Sequence, residues 1–211
     1  TYTAGDGNLV DNGDGTWDLT IPAGDVLADG TYDVVVTITD GAGNTSSDTS
    51  TDELVIDTVA PAVPTVTSQT TNDDTPVISG TATIGVGETL TVEVNGITYT
   101  AGDGNLVDNG DGTWDLTIPA GDALADATYE VTATVTDNAG NASSDVDSNE
   151  LTVDTVAPTA PTVTSITTND DTPVISGTAT LAAGEVLTVE VNGVTYTAGD
   201  GNLVDNGDGT W

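Results

Sequence analysis

Residues Leu124–Thr136 read LADATYEVTATVT. Tyr129, Val131, Ala133 and Val135 alternate there with Glu130, Thr132, Thr134 and Thr136. A period of two puts the first set on one face of an extended chain and the second on the other, so the stretch is a β-strand with one buried face. The turn before it leads into a tyrosine at the strand start, an arrangement in which the phenol bonds back to the backbone upstream. Working outward, Pro64–Ser68, Pro76–Thr83 and Thr89–Val94 also read as strands. In the last of these Leu90, Val92 and Val94 alternate with Thr91, Glu93 and Asn95. Asn95-Gly96 is a two-residue hairpin turn, because both residues tolerate positive φ. Ile97–Ala101 is its return strand. Trp114, Leu116 and Ile118 alternate with Asp115 and Thr117, and Glu150–Asp154 closes the set.

Seven short strands in about 97 residues, with turn residues between them, predict an all-β fold: a seven-stranded immunoglobulin-like β-sandwich. Trp114 is the expected aromatic centre of its core. The same unit recurs. TYTAGDGNLVDNGDGTW begins at Thr1, Thr98 and Thr195, an interval of 97 residues, and Thr1–Asp25 repeats unchanged as Thr98–Asp122. VAPAVPTVTSQTTNDDTPVISG at Val59 returns with three changes at Val156. A period near 100 residues is a whole small domain rather than a solenoid turn. Val59-Ala60-Pro61 and Val156-Ala157-Pro158 read as short stiff linkers, because proline fixes its own φ and restrains the residue before it. The expected organisation is tandem: residues 1–57 the C-terminal half of one repeat, 58–154 a complete repeat, and 155–211 the N-terminal half of the next. The start lacks an initiator Met, a basic region and an apolar core, so it reads as a window on a longer array rather than a signal peptide.

Composition narrows the function. The 211 residues include 35 Asp plus Glu and no Lys, Arg, His, Cys, Met or Phe, for a formal charge of −35. No side chain can pair with a phosphate backbone or an anionic lipid surface, so neither nucleic acid nor direct membrane insertion is expected. Thiol nucleophiles, imidazole bases and soft metal sites are excluded with the residues that make them. Catalysis by paired carboxylates needs a deep cleft that so small a sandwich does not offer, and the chain is read as a non-enzyme.

The DTVAPxxPTVTS linker, the NDDTPVISGTA start, the DGTW turn, the LADGTY corner at Leu27–Tyr32 and the TDGAGN and TDNAGN loops resemble bacterial immunoglobulin-like extender repeats. These occur in giant repeats-in-toxin (RTX) surface adhesins of Gram-negative bacteria. The resemblance spans the whole chain. It implies type I secretion to the cell surface, calcium at the domain junctions, and a stiff stalk that projects a distal ligand-binding domain in adhesion or biofilm formation. The RTX nonapeptide GGxGxDxUx is absent, so the resemblance is to the stalk and not to the whole adhesin.

The acids point to calcium independently of that resemblance. At 35 acids in 211 residues, a repeat carries about sixteen, with no internal counter-charge. Each close like pair costs on the order of 1 kcal/mol. Ca²⁺ relieves such crowding by taking about six to eight oxygen ligands. In a seven-strand sandwich the loops after the first, third and fifth strands share the C-terminal end. At the junction after the complete repeat, the candidates are Asp154 of the linker, Asp73 and Asp74 of the first loop, and Asp122 and Asp126 of the fifth, with Glu185 from beyond. At the junction before it they are Asp25, Asp29 and Asp57 from above, and Asp137, Asn141 and Glu88 from below. Asp73, Asp74 and Asp137 also suit turn capping. Asn109–Gly112 reads as a hairpin turn, since its oxygens do not match EF-hand spacing.

The expected function is a calcium-stiffened structural extender at the bacterial cell surface, with neighbouring repeats of the same chain as its partners. The alternative is a carbohydrate- or protein-binding module, whose sign would be an exposed aromatic patch. High-salt adaptation also suits the acidity. The two half-repeats complement one another in sequence, so end-to-end association of separate chains is a further expectation.

Overall fold

The computed structural model describes residues 1–211, a chain of short strands joined by turns and irregular segments. A single 3-10 turn, Ala120–Asp122, is the one helical element. Between Val66 and Val153 lies one hydrophobic cluster of 17 buried residues. Two four-stranded sheets enclose it. One runs in the order Leu106–Asp108, Thr113–Thr117, Val77–Thr81, Thr65–Val66; the other Ile97–Thr100, Thr89–Val94, Val131–Thr136, Ala142–Ser144. A third, short sheet joins Ala127–Tyr129, Leu151–Val153 and Gln69–Thr71, with the last pair parallel. The chain therefore leaves the first sheet after Val66 and changes sides by Gln69, whose N–H donates to Glu150 O at 2.7 Å.

The strands form where the alternation places them. Leu90, Val92 and Val94 lie opposite Val135, Ala133 and Val131, and all six are buried. Asn95 and Gly96 take φ of +53° and +76°, which matches the right-handed twist of the strands they join. Tyr129 donates its hydroxyl to Ala125 O at 2.8 Å, and Tyr32 does the same to Ala28 O at 2.7 Å. Trp114 is fully buried, with its indole over Gly80. Asn109–Gly112 is the hairpin loop between Leu106–Asp108 and Thr113–Thr117.

The strand count differs from the expected seven. The complete unit contains eleven strand segments, from Thr65–Val66 to Leu151–Val153. Leu106–Asp108 and Ala142–Ser144 were not anticipated, because three residues between turns carry no readable period. Ala142–Ser144 is held on its outer face by a Thr134–Ser144 hydroxyl pair at 2.8 Å rather than by apolar burial. Gln69–Thr71 also lies beyond the first expected strand, and the sixth expected strand is interrupted at Glu130, between Ala127–Tyr129 and Val131–Thr136.

On either side of this unit the chain forms two-stranded antiparallel pairs. Before it, Leu9–Asp11 pairs with Trp17–Leu19, Gly30–Tyr32 with Leu54–Ile56, and Thr37–Thr39 with Thr45–Ser47. After it, Thr162–Val163 pairs with Gly177–Thr178 and Thr188–Val191 with Val194–Thr197. No helix is long and apolar enough to cross a membrane.

Candidate functional site

The junction before the complete unit is built on the segment that follows Leu54–Ile56. Asp57 Oδ1 accepts the N–H of Val59 at 3.1 Å, an Asx turn that starts the linker. Asp29 Oδ1 accepts both the N–H and the hydroxyl of Thr58, at 3.1 and 2.8 Å. The linker is also held from below. Asn141 Nδ2 donates to Asp57 O at 3.0 Å, and Ser143 Oγ donates to Pro61 O at 2.7 Å. Pro61 and Pro64 are buried. The linker is thus attached to the domains on both of its sides.

The loop that receives it is itself braced by Asp137. This carboxylate accepts the Asn141 side-chain amide at 2.9 Å and the N–H groups of Asn141 and Ala139. Those donors, the Asn141 amide foremost, hold its carboxyl below the usual aspartate range against the contrary effect of burial. Asn141 therefore acts as a clip between its own loop and the preceding linker.

The junction after the complete unit repeats the upper half of this geometry. Asp126 Oδ1 accepts the N–H and hydroxyl of Thr155 at 3.0 and 2.8 Å, and Asp154 Oδ1 accepts Val156 N–H at 3.1 Å. Asp154 N–H reaches Thr71 O and Leu124 N–H reaches Asp74 O, which draws the first and fifth loops to this end. Pro158, unlike Pro61, is exposed.

The other expected ligands are engaged singly. Asp122 accepts the Tyr99 hydroxyl at 2.9 Å, and Asp25 accepts that of Tyr2 at 2.7 Å. Burial first, then the Asp122 bond and the negative charges of Asp122 and Asp103, push the Tyr99 phenol up to about 12. Asp73 caps Thr75 through its N–H and hydroxyl. Glu88 accepts Gly85 N–H at 2.7 Å and Glu185 accepts Ala182 N–H at 2.7 Å. No three of these acids converge into a group that could hold a metal ion by themselves. At each junction the paired aspartates, Asp29 with Asp57 and Asp126 with Asp154, use Oδ1 for hydrogen bonds to the linker.

Two carboxylates outside the junctions escaped sequence reasoning. Glu150 is buried, with Oε2 accepting Val131 N–H at 3.0 Å and Oε1 unpartnered; Asp145 Oδ2 is likewise buried and unpartnered. Their signal was weak, since SDVDSNE between two strands reads as an ordinary polar loop. Burial, and then the charges of Asp147 and Glu150, raise the Asp145 carboxyl above its usual value. A raised folded-state value means that the native form holds the proton to higher pH than the unfolded chain does. The stability this confers is present below about pH 3.9 and is lost as the pH rises through the folded value. Asp145→Asn removes that loss. Its melting temperature in EDTA is expected to exceed wild type by a few degrees at pH 7 and to match it near pH 4. Equal melting at both pH values would show that the buried charge costs nothing.

A tandem of Ig-like β-sandwich units with polar junctions is the class that fold and site define. The family profile of the bacterial Ig-like domain matches residues 2–58 and 65–155, and the chain belongs to that family. No curated protein matches it. Among solved structures, a chain from work on host cell surface retention of a 1.5-MDa bacterial ice-binding adhesin is 30% identical, with a TM-score of 0.37. That match covers 84% of this chain and 60% of the other. The Bacteroides ovatus mixed-linkage glucan utilization locus protein SGBP-B, in complex with a mixed-linkage heptasaccharide, is 18% identical with a TM-score of 0.29. There the match covers 70% of this chain and 33% of the other, so the chain spans less than two thirds of either relative.

Proposed function

We propose that the chain is part of an extracellular extender, a row of sandwiches whose junctions set the stiffness of a bacterial surface adhesin. The observation that carries this reading is the two-sided attachment of the Asp57–Pro61 linker, through Asp29 on one side and Asn141 and Ser143 on the other. A linker held on both sides transmits orientation from one domain to the next; an unattached one does not. The binding-module alternative calls for exposed aromatic side chains, whereas Trp114 and Tyr99 of the complete unit are buried.

Calcium is the proposed second component. The donor chemistry fits a hard cation: the ligand set is all oxygen, the chain supplies no side-chain cation, and each paired aspartate keeps its Oδ2 clear of protein hydrogen bonds. Asp29 with Asp57, and Asp126 with Asp154, are the residues that would hold the ion, completed by carbonyls and water. Bound there, it would neutralise the facing carboxylates and lessen the mutual repulsion that favours a bent junction. Gram-negative origin and type I export accompany this reading as part of the resemblance. Small-angle scattering of the dilute 211-residue chain tests it. The interparticle-free distance distribution is expected to be narrow and elongated in millimolar calcium and broader in EGTA, and broader still for Ser143→Ala with Asn141→Ala. Identical distributions in calcium and EGTA would remove calcium from the mechanism.

A further inference from the structure

The segment DVDSNE, from Asp145 to Glu150, closes on one edge of the strand Val131–Thr136. In an extended chain Val131 and Ala133 turn their N–H and C=O groups to the same edge. Asp145 N–H donates to Ala133 O at 2.9 Å there, continuing the pairing with Ala142–Ser144. The next rung is made by a side chain: Glu150 Oε2 accepts Val131 N–H at 3.0 Å. Gln69 N–H donates to Glu150 O at 2.7 Å and fixes the backbone of that residue. Val146 to Asn149, between the two acids, are exposed.

One oxygen of each acid is left over. Glu150 is 1% exposed and its Oε1 has no partner; Asp145 Oδ2 is buried and has none either. A buried carboxylate without a counter-charge is among the costliest arrangements in a protein. The chain has no Lys, Arg or His to supply that charge. Besides its burial, Asp145 feels the charges of Asp147 and Glu150, so the three acids lie near one another.

The preceding repeat builds the same frame and fills it differently. Asp48 N–H donates to Val36 O at 2.9 Å and Glu53 Oε2 accepts Val34 N–H at 3.0 Å, the same two bonds 97 residues earlier. There Asp48 Oδ2 accepts the hydroxyl of Ser50 at 2.6 Å. The position of Ser50 is Asp147 in the complete unit. The donor that satisfies one carboxylate is thus replaced by another carboxylate, which suits a cation rather than a water as the missing partner.

We infer that Asp145 Oδ2 and Glu150 Oε1 are two ligands of a hard divalent cation of the calcium type, held inside the complete unit by residues separate from the linker aspartates. No third acid closes on them as a ready-made ligand group, so loop carbonyls and water would complete the set of about six to eight oxygens. Two carboxylates match a double positive charge, and an all-oxygen set disfavours softer metals. The ion would tie both ends of the loop to one strand. Neither the junction sites nor the adhesin reading is required.

Calorimetry of the full chain carrying Asp29→Asn, Asp57→Asn, Asp126→Asn and Asp154→Asn tests this site apart from the junctions. The complete unit of this background is expected to melt roughly 10–20 °C higher in calcium at about 100 times the titration midpoint than in EDTA. Sodium chloride at equal ionic strength is expected to leave the transition unmoved. Adding Asp145→Asn and Glu150→Gln is expected to abolish the calcium rise. The EDTA transition of that variant should stay at or above the background, because the buried charges are gone and the Gln amide oxygen can still accept Val131 N–H; this reports that it is folded. Asp147→Ser restores the hydroxyl of the preceding repeat and keeps both ligands. It is expected to move the midpoint of the calcium titration to higher concentration, and an unmoved midpoint counts against the site even where the other variant does not fold. A background chain indifferent to calcium overturns the inference, while the junction proposal keeps its own test in the wild-type chain. A rise that survives Asp145→Asn with Glu150→Gln, or that sodium reproduces, also overturns it.

Discussion

Gly80→Ala is expected to destabilise the complete repeat more than any other single-methyl change. A Cβ at Gly80 would meet the carbonyl of Thr65 and lie 2.5 Å from Trp114 Cζ2 and 2.6 Å from Cε2. Neither neighbour can yield cheaply. The carbonyl belongs to the adjacent strand, which pairs with Gly80 through Val66, and the indole is fully buried in register with it. Overpacking at a rigid site costs about 3 kcal/mol, at the upper end of the usual range. For a domain of this size that lowers the melting temperature by roughly 12–24 °C. Gly121→Ala is the control: nothing lies within 4 Å of its Cβ position and its φ is not positive, so little change is expected. Differential scanning calorimetry of both variants makes the comparison. A Gly80→Ala unit that melts with wild type would mean that the Trp114 shelf is far softer than its burial implies.

Calcium is expected to produce the second large effect. A ligand present at a hundred times its dissociation constant stabilises the binding state by about 2.7 kcal/mol per site. One such site is worth a rise in melting temperature of roughly 10–20 °C for a unit of this size. The transition should therefore fall on adding EDTA and return with excess calcium. Asp126→Asn with Asp154→Asn should remove the second junction's share of the calcium-dependent part, leaving that of Asp29 and Asp57, with the EDTA value nearly unchanged because the amide oxygen can still cap Thr155 and Val156. An EDTA-insensitive transition would rule out calcium as a stabilising partner. A calcium response left undiminished by both substitutions would move the ion away from the second junction.

The strand pattern and the hairpins were legible because they depend on near neighbours. Tyr129–Val135 alternates along its own backbone, and Asn95-Gly96 turns by its own φ preferences. The tyrosine corner was legible for the same reason, since the Tyr129 hydroxyl bonds only four residues back. The carboxylates were harder to read. Asp73, Asp122 and Asp137 carry the same group, yet one caps a threonine, one accepts a tyrosine and one braces an asparagine. Sequence placed Asp57, Asp137 and Asn141 at one junction, and the structure joins them through the Asn141 amide and the Asp57 carbonyl rather than through a shared carboxylate cluster. Asp145 and Glu150 were passed over because burial of an acid inside a polar loop leaves no mark on the local pattern.

The sequence by itself determined the 97-residue period, the all-β character, the aromatic centre of the core and the absence of any internal cation. All of these follow from residue type and spacing. The tertiary structure alone decided the change of sheet between Val66 and Gln69, the partner of each carboxylate, and which tryptophan is covered. Trp17, Trp114 and Trp211 stand in the same local sequence, TYTAGDGNLVDNGDGTW, and differ in exposure from 44% to 0% and 8%. Burial belongs to the strands that pack over a side chain, and those strands lie dozens of residues away in the chain.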